Sequence, residues 1–241
     1  MASVSIVNET SGMIAIVHRF VDMRNGRDPL SGVEFDCRVG NTDRVIDSLI
    51  PDGIRLVLAS ASPRRRELLS KWGVEFDVRP ADADESVHDG ESPLPYVQRV
   101  AAIKAAAIGG PGELVIAADT TVDVDGTILA KPEDVEDARR MLLMLSGRTH
   151  FVHTAVAIRL VRADGSAVEA ATTSTSEVHF AALDEATIDW YLSTGEPFGK
   201  AGAYALQGAG ARLVEWVHGS VSGIIGLPMS ELLTIIKTFL V

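Results

Sequence analysis

Four features of the chain could do chemistry together: the loop at residues 60–66, Glu85, Asp119 with Thr120, and Lys131. Ser62 followed by Pro63 is a helix-start signal, serine at the N-cap and proline at the first helical position. Arg64, Arg65 and Arg66 then crowd the first turn, where the helix dipole is already positive and each added cation costs about 0.3–1 kcal/mol. Two readings are open. Either the arginines are solvated on a well-capped surface helix, or an anion is expected there, held by free amides, the hydroxyls of Ser60 and Ser62, and guanidinium groups. Basic groups together with two carboxylates form the set needed to hold a polyphosphate with its metal and to activate a water. Hydrolysis at phosphorus needs little covalent help from a protein; it needs charge neutralisation, alignment and a base. The chain has no Gly-x-x-x-x-Gly-Lys-Ser/Thr loop and no Gly-x-Ser-x-Gly elbow, which disfavours P-loop NTPases and serine hydrolases.

The elements that must position these residues follow regular punctuation from Gly53 onward. Ile54, Leu56, Val57, Leu58 and Ala59 predict a short buried strand, and the helix after Pro63 turns Leu68, Leu69 and Trp72 inward. Residues 75–78 predict a second short strand. Residues 81–91 predict an acidic loop, with most of its carboxylates solvated. Ser92-Pro93 opens a helix with Tyr96, Val97, Val100, Ile103 and Ala107 on its apolar stripe and with Arg99 and Lys104 off it. Residues 114–118 predict a central strand that ends in Asp119, a common place for chemistry in open α/β sheets. A hairpin around Asp125-Gly126 follows, then a helix over 133–145. Residues 149–161 and 167–180 predict two long antiparallel strands. They carry His150, His153 and His179, which lack a further ligand at motif spacing and read as packed or surface residues. Asp184 caps a helix through Leu192. Residues 195–210 are glycine-rich around Lys200, Tyr204 and Gln207. Residues 213–217 predict a strand, 219–226 a flexible loop and 228–240 a closing amphipathic helix.

Bulk properties narrow the classes. With 241 residues, 46% of them hydrophobic, the chain can bury a substantial core in one or two domains. A net charge of −11 disfavours general nucleic-acid binding, which rests on neutralising backbone phosphates, but leaves a small polyphosphate possible where basic residues gather. The single cysteine, Cys37, allows neither an internal disulfide nor a cysteine zinc cage, and makes the cytoplasm the default compartment. No apolar run approaches the roughly 18 residues of a membrane span. Residues 1–52 lack helix–strand alternation. They read as a weakly structured extension, as a segment only partly packed on the domain at 53–241, or as a sign that translation begins further in.

The segment Leu58-Ala-Ser-Ala-Ser-Pro-Arg-Arg-Arg-Glu-Leu-Leu resembles the N-terminal signature of the Maf family, nucleoside triphosphate pyrophosphatases once described as septum formation inhibitors. Further segments agree in order: Tyr96-Val-Gln-Arg-Val-Ala-Ala-Ile-Lys-Ala, Ala117-Ala-Asp-Thr, Lys131-Pro, Leu145-Ser-Gly-Arg-Thr-His, Thr154-Ala-Val-Ala, Gly195-Glu-Pro, Lys200-Ala-Gly-Ala-Tyr-Ala-Leu-Gln-Gly and Gly226-Leu-Pro. The resemblance covers residues 54–240. It implies an α/β fold, a mixed twisted sheet with flanking helices and two lobes around an active-site cleft (Maf/ITPase-like), usually dimeric. It places Asp119 on the general base, Glu85 on a second catalytic carboxylate shared with a divalent metal, Mg or Mn, and Lys131 and Lys104 on lysines that contact phosphates. Ser60, Ser62, Arg64 and Arg65 fall on the phosphate loop, whereas Arg66 matches no functional position. The implied reaction is water attack at the α-phosphate of a nucleoside triphosphate, releasing the monophosphate and pyrophosphate.

Within the family, Arg64, Thr120 and Gln207 resemble the base-proximal pattern of the branch that prefers dTTP and UTP. A glutamine amide can both donate to and accept from the O4–N3 edge of thymine or uracil. Two other readings stay open: a non-catalytic nucleotide-binding regulator of cell division, or the same hydrolysis on 7-methyl-GTP or other purine nucleotides. The first is disfavoured by the intact set of Glu85, Asp119 and Lys131, since a pure binder does not need a base.

Overall fold

The computed structural model describes residues 50–240; the extension expected at 1–52, with Cys37, lies outside the described residues apart from its last three positions. The elements run β1 (Arg55–Leu58), α1 (Pro63–Ser70), β2 (Asp77–Val78), α2 (Pro93–Ala106), β3 (Glu113–Val124) and β4 (Thr127–Leu129). They continue with α3 (Val135–Leu145), β5 (Thr149–Val161), β6 (Ala167–Phe180), α4 (Glu185–Ser193), β7 (Val214–His218), α5 (Val221–Ile225) and α6 (Met229–Leu240). The strands form one mixed sheet in the order β2-β1-β3-β5-β6-β7, with β4 paired to β3 off this path. β1 is parallel to β2 and β3, and the remaining pairs are antiparallel.

From β1 the chain moves outward through α1 to β2, then returns over β1 through α2 to β3. This reversal puts the two helices on opposite faces. Leu68, Leu69 and Trp72 of the α1 region pack with Leu56, Leu58, Leu114 and Ile116. Tyr96, Val97 and Val100 of α2 pack with Val57, Val115 and Ala117. A crevice at the C-terminal end of β1 is the consequence, since both connections leave it. The long strands β3, β5 and β6 carry the sheet on into a second lobe. There Val122, Val152, Val178 and Phe180 meet Met141, Leu142 and Leu145 of α3 and Ile188 and Tyr191 of α4.

Three sequence expectations change. β3 does not stop at Asp119 but runs unbroken to Val124, because β5 pairs along it from Glu113 to Asp123 and the β-branched Thr120, Thr121 and Val122 suit a pleated strand. Lys104 does not lie off the apolar stripe of α2. The buried face is Tyr96, Val97, Val100, Ala101, Lys104 and Ala105, whereas Ala107 is exposed. Finally, residues 219–226 are not a loop throughout. They hold the short helix α5, whose N-cap Ser220 accepts a hydrogen bond from the Gly223 amide at 3.1 Å. The long β5–β6 hairpin has the boundaries expected, as does the turn at Asp125-Gly126, where both residues have positive φ (52° and 80°) as that tight turn demands. Its histidines are packed: His150 against Tyr204 (2.8 Å), His153 between Asp123 and Thr175, His179 stacked on Trp216. Burial lowers His150 to about 3, so it is neutral.

Candidate active site

Asp119 owes its position to a gap. One edge of β3 is filled by β5, so β1 and β4 must share the other; β1 covers Glu113–Ile116 and β4 covers Val122–Val124. Between them the backbone edge is open, and Asp119 sits there, just beyond the end of β1. Its side chain is on the α2 face, 6% exposed. Lys104, buried at 7% on α2, donates to Asp119 Oδ1 at 2.8 Å and lies 2.9 Å from Glu85 Oε1. Glu85 arrives from the acidic loop, whose backbone is fastened where Tyr96 donates its hydroxyl to the Glu85 carbonyl at 3.0 Å. Lys131, mostly exposed, stands 4.0 Å from Glu85 Oε2. Burial raises the Asp119 carboxyl above the ordinary aspartate range, with Lys104 and Arg65 pulling the other way. Among the described residues, Asp119 Oδ2 accepts no hydrogen bond and is not sealed from solvent, so one carboxylate oxygen is left without a protein donor.

The 60–66 loop closes the other wall. Ser62 is at the N-cap of α1, but its hydroxyl makes no capping bond; its amide donates to Ser60 Oγ at 3.2 Å. With proline first in the helix, the amides of Arg64 and Arg65 are the free donors of the first turn. The three arginines, alike in sequence, differ in place. Arg66 is exposed. Arg65 turns inward and donates to Gly226 O (2.8 Å), Ser60 Oγ (3.3 Å) and Thr120 Oγ1 (3.2 Å), so part of its guanidinium holds the loop together. Arg64 is half-buried, with its Nε 3.4 Å from Ile225 O at the end of α5. Burial lowers its pKa, opposed by the charge of Glu196. Thr120 is on the opposite face from Asp119, between Arg65 and Thr154 Oγ1 at 3.0 Å. Thus Ser60, Arg65 and Thr120 form one chain of contacts and Asp119, Lys104, Glu85 and Lys131 another, the two joined where Asp119 and Thr120 are neighbours in β3. Gln207 stands apart from both chains, exposed on a bend beyond Tyr204, and makes no hydrogen bond among the described residues.

Sequence reasoning missed two contributors. Tyr96 was read as core alone, yet its hydroxyl anchors the Glu85 loop, and burial with the charges of Asp119 and Glu85 raises it to about 12. Glu196 stood in the Gly195-Glu-Pro segment without a role, although a carboxylate between a glycine and a proline, off any helix or strand, is a signal of side-chain work on nearby backbone amides.

A family model described as Maf-like protein matches residues 55–239. The chain belongs to the Maf-like family. This Maf-like chain is 54% identical over 183 residues to a dTTP/UTP pyrophosphatase of Anaeromyxobacter dehalogenans, spanning 76% of this chain and 93% of the relative. It is 47% identical over 188 residues to a dTTP/UTP pyrophosphatase of Myxococcus xanthus, spanning 77% and 93%. Among solved structures, the Staphylococcus aureus Ham1 protein aligns over 77% of this chain and 97% of its own at 13% identity and a TM-score of 0.40, a likeness too loose to add to the fold described above. No helix among the described residues is long and apolar enough to cross a membrane.

Proposed function

We propose that residues 53–241 form a nucleoside triphosphate pyrophosphatase that hydrolyses dTTP and UTP to the nucleoside monophosphate and pyrophosphate. The observation that carries this reading is buried Asp119 in the β3 gap, with one carboxylate oxygen on Lys104 and with Glu85 on the same ammonium. The names carried by the relatives of this Maf-like chain point to the same reaction. In this reading Asp119 takes the proton of the attacking water. Burial raises its pKa above the ordinary aspartate range, which strengthens it as a base. Lys104 and Lys131 neutralise the phosphates, and the α1 amides with Ser60, Ser62, Arg64 and Arg65 hold the remaining oxygens. Arg64, Thr120 and Gln207 read the base.

The donor set suits a magnesium or manganese ion. Two carboxylates with oxygens to spare are what such an ion takes when substrate phosphates and waters complete its shell, and no cluster of three or more acidic, histidine or cysteine side chains among the described residues offers an all-protein cage. Glu85 and Asp119 would hold it, and it would supply charge neutralisation along the triphosphate. The reading includes a homodimer, as the family resemblance implies, acting in the cytoplasm, the default compartment for a chain with a single cysteine. Pyrophosphate release from dTTP and UTP with Mg or Mn, its loss on chelation, and a sedimentation measurement test these points. Equal turnover of 7-methyl-GTP would break the substrate assignment.

A further inference from the structure

The loop that carries Gln207 is fastened at both feet to one pair of side chains. At its near foot, the Ala205 amide donates to the Tyr191 hydroxyl at 3.3 Å. At its far foot, the Ala209 amide donates to Glu196 Oε2 at 2.9 Å and the Gly210 amide to Glu196 Oε1 at 2.8 Å. Tyr191 joins the two by donating to Glu196 Oε1 at 2.9 Å. Burial and the adjacent carboxylate push the Tyr191 phenol up, so it remains a donor. Tyr191 is fully buried in the second lobe on α4, and Glu196 follows in the turn after that helix, so the pair is a rigid platform. The loop is pressed onto it. Gly208 has φ +96°, and a Cβ there would run into Glu196 Oε2; a Cβ at Gly210 would lie 2.8 Å from the Tyr191 hydroxyl. The same Glu196 charge bears on Arg64 and Lys200.

The chemistry of the base makes such fastening matter. Uracil and thymine present an acceptor at O4 and a donor at N3, whereas cytosine presents a donor at N4 and an acceptor at N3. A glutamine amide carries one group of each kind and reads either edge after a half turn. Discrimination therefore requires that the amide be held in one pose, and Gln207 makes no hydrogen bond among the described residues that would hold it. We propose that Tyr191 and Glu196 are positioning residues for substrate choice, fixing the 205–210 loop so that Gln207 presents one face to the base. This rests on the reading of Gln207 as a base-reading residue.

The test compares wild type with Tyr191→Phe, Gly208→Ala and Gln207→Ala. It measures kcat and KM for UTP and CTP, the inhibition constant of inorganic tripolyphosphate, which has no base, and thermal unfolding. Tyr191→Phe removes both hydroxyl bonds while keeping the ring. Gly208→Ala displaces Glu196 from an exposed position, so it tests the same contact without opening the core. Both are expected to raise the KM for UTP about fivefold, the size of one lost hydrogen bond, and to narrow the UTP-over-CTP preference by a similar factor. The tripolyphosphate inhibition constant should stay within about twofold in Tyr191→Phe, which leaves the Glu196 carboxylate and its charge on Arg64 in place. The proposal is overturned if tripolyphosphate weakens in step with UTP in Tyr191→Phe, or if both variants keep the wild-type preference while Gln207→Ala loses it. If Gln207→Ala itself keeps the preference, the base-reading role fails and the proposal falls with it.

Discussion

Glu113 and Asp119 are two buried acids on the same face of the same strand, 3% and 6% exposed, and the fold treats them in opposite ways. Glu113, at the start of β3, pairs with Arg55 at 2.8 Å and with Arg79, and accepts from the Gly110 amide at 2.8 Å. Both oxygens have protein donors, and hydrogen bonding from Arg79 holds its pKa below the ordinary glutamate value. Asp119 has one protein donor, Lys104, and must share it with Glu85; burial pushes its pKa up. A saturated buried acid is a structural knot. An unsaturated one, open to a crevice, is a place where the protein holds charge for something else. The difference comes from the edge of β3: at Glu113 the neighbouring strand and its arginines are present, and at Asp119 that strand has ended.

The sharpest way to break this comparison is to neutralise each acid in turn. Asp119→Asn is expected to lower kcat about 10²–10⁴-fold, the range of a lost general base, with little change in folding. Glu113→Gln should leave kcat within about twofold and instead cost about 1–2 kcal/mol of stability, because Arg55 and Arg79 are partly solvated and can recover water. Steady-state kinetics and denaturant unfolding on both variants check the pair. Normal turnover in Asp119→Asn would sink the assignment of the base.

Lys104→Met tests the shared ammonium. Without it, Asp119 and Glu85 repel each other and the Asp119 pKa should rise further, moving the acid limb of kcat/KM to higher pH. Added Mn should also raise the unfolding temperature of this variant more than that of wild type, because a cation then relieves an unopposed pair. An unmoved acid limb and an equal Mn response would show that Lys104 does not neutralise the carboxylates.

The two acids should also act oppositely on stability. Asp119, with its folded pKa raised, contributes stability that is present below its unfolded pKa, about 3.9, and lost as pH rises through the folded value. Glu113, with its folded pKa depressed, contributes stability present above its unfolded pKa, about 4.3, and lost as pH falls through the folded value. Unfolding stability followed from pH 3 to 7 (a window around the ordinary carboxylate value of ~4) should therefore depart from wild type in opposite ways: Asp119→Asn loses the fall that accompanies rising pH, and Glu113→Gln loses the fall that accompanies falling pH; parallel curves would erase the distinction. The smallest effect belongs to Arg66→Ala, expected to leave kcat/KM within about twofold because that residue is exposed while Arg64 and Arg65 turn inward. A large loss would restore Arg66 to the phosphate wall.

Much of the fold was legible because it depends on local pattern. The long β-rich runs over 149–161 and 167–180 with Asp164-Gly165 between them give the long hairpin with its boundaries. Asp184 caps α4 through the Thr187 amide at 2.8 Å, as its position before the helix suggests, and Asp134 does the same for α3 through Asp137 at 2.8 Å. Less legible was anything set by a partner strand or a shared acceptor. The periodicity puts Lys104 off the apolar stripe of its helix, because a charged residue does not count toward such a stripe. Two carboxylates distant in sequence, at 85 and 119, are what make its burial tolerable.

The sequence by itself determined which residues are present for the chemistry, the secondary structure around them, and the family, since these follow from residue types, local propensity and ordered motifs. Only the tertiary structure decided how the acids and arginines divide their tasks. It made Asp119 an open acid in mid-strand rather than a strand terminus, turned Arg65 inward while leaving Arg66 in solvent, and set Glu196 under the loop of Gln207. The physical reason is common to all three. Hydrogen bonding and desolvation are settled by what the folded neighbours leave unpaired, and those neighbours are contributed by strands and turns remote in the chain.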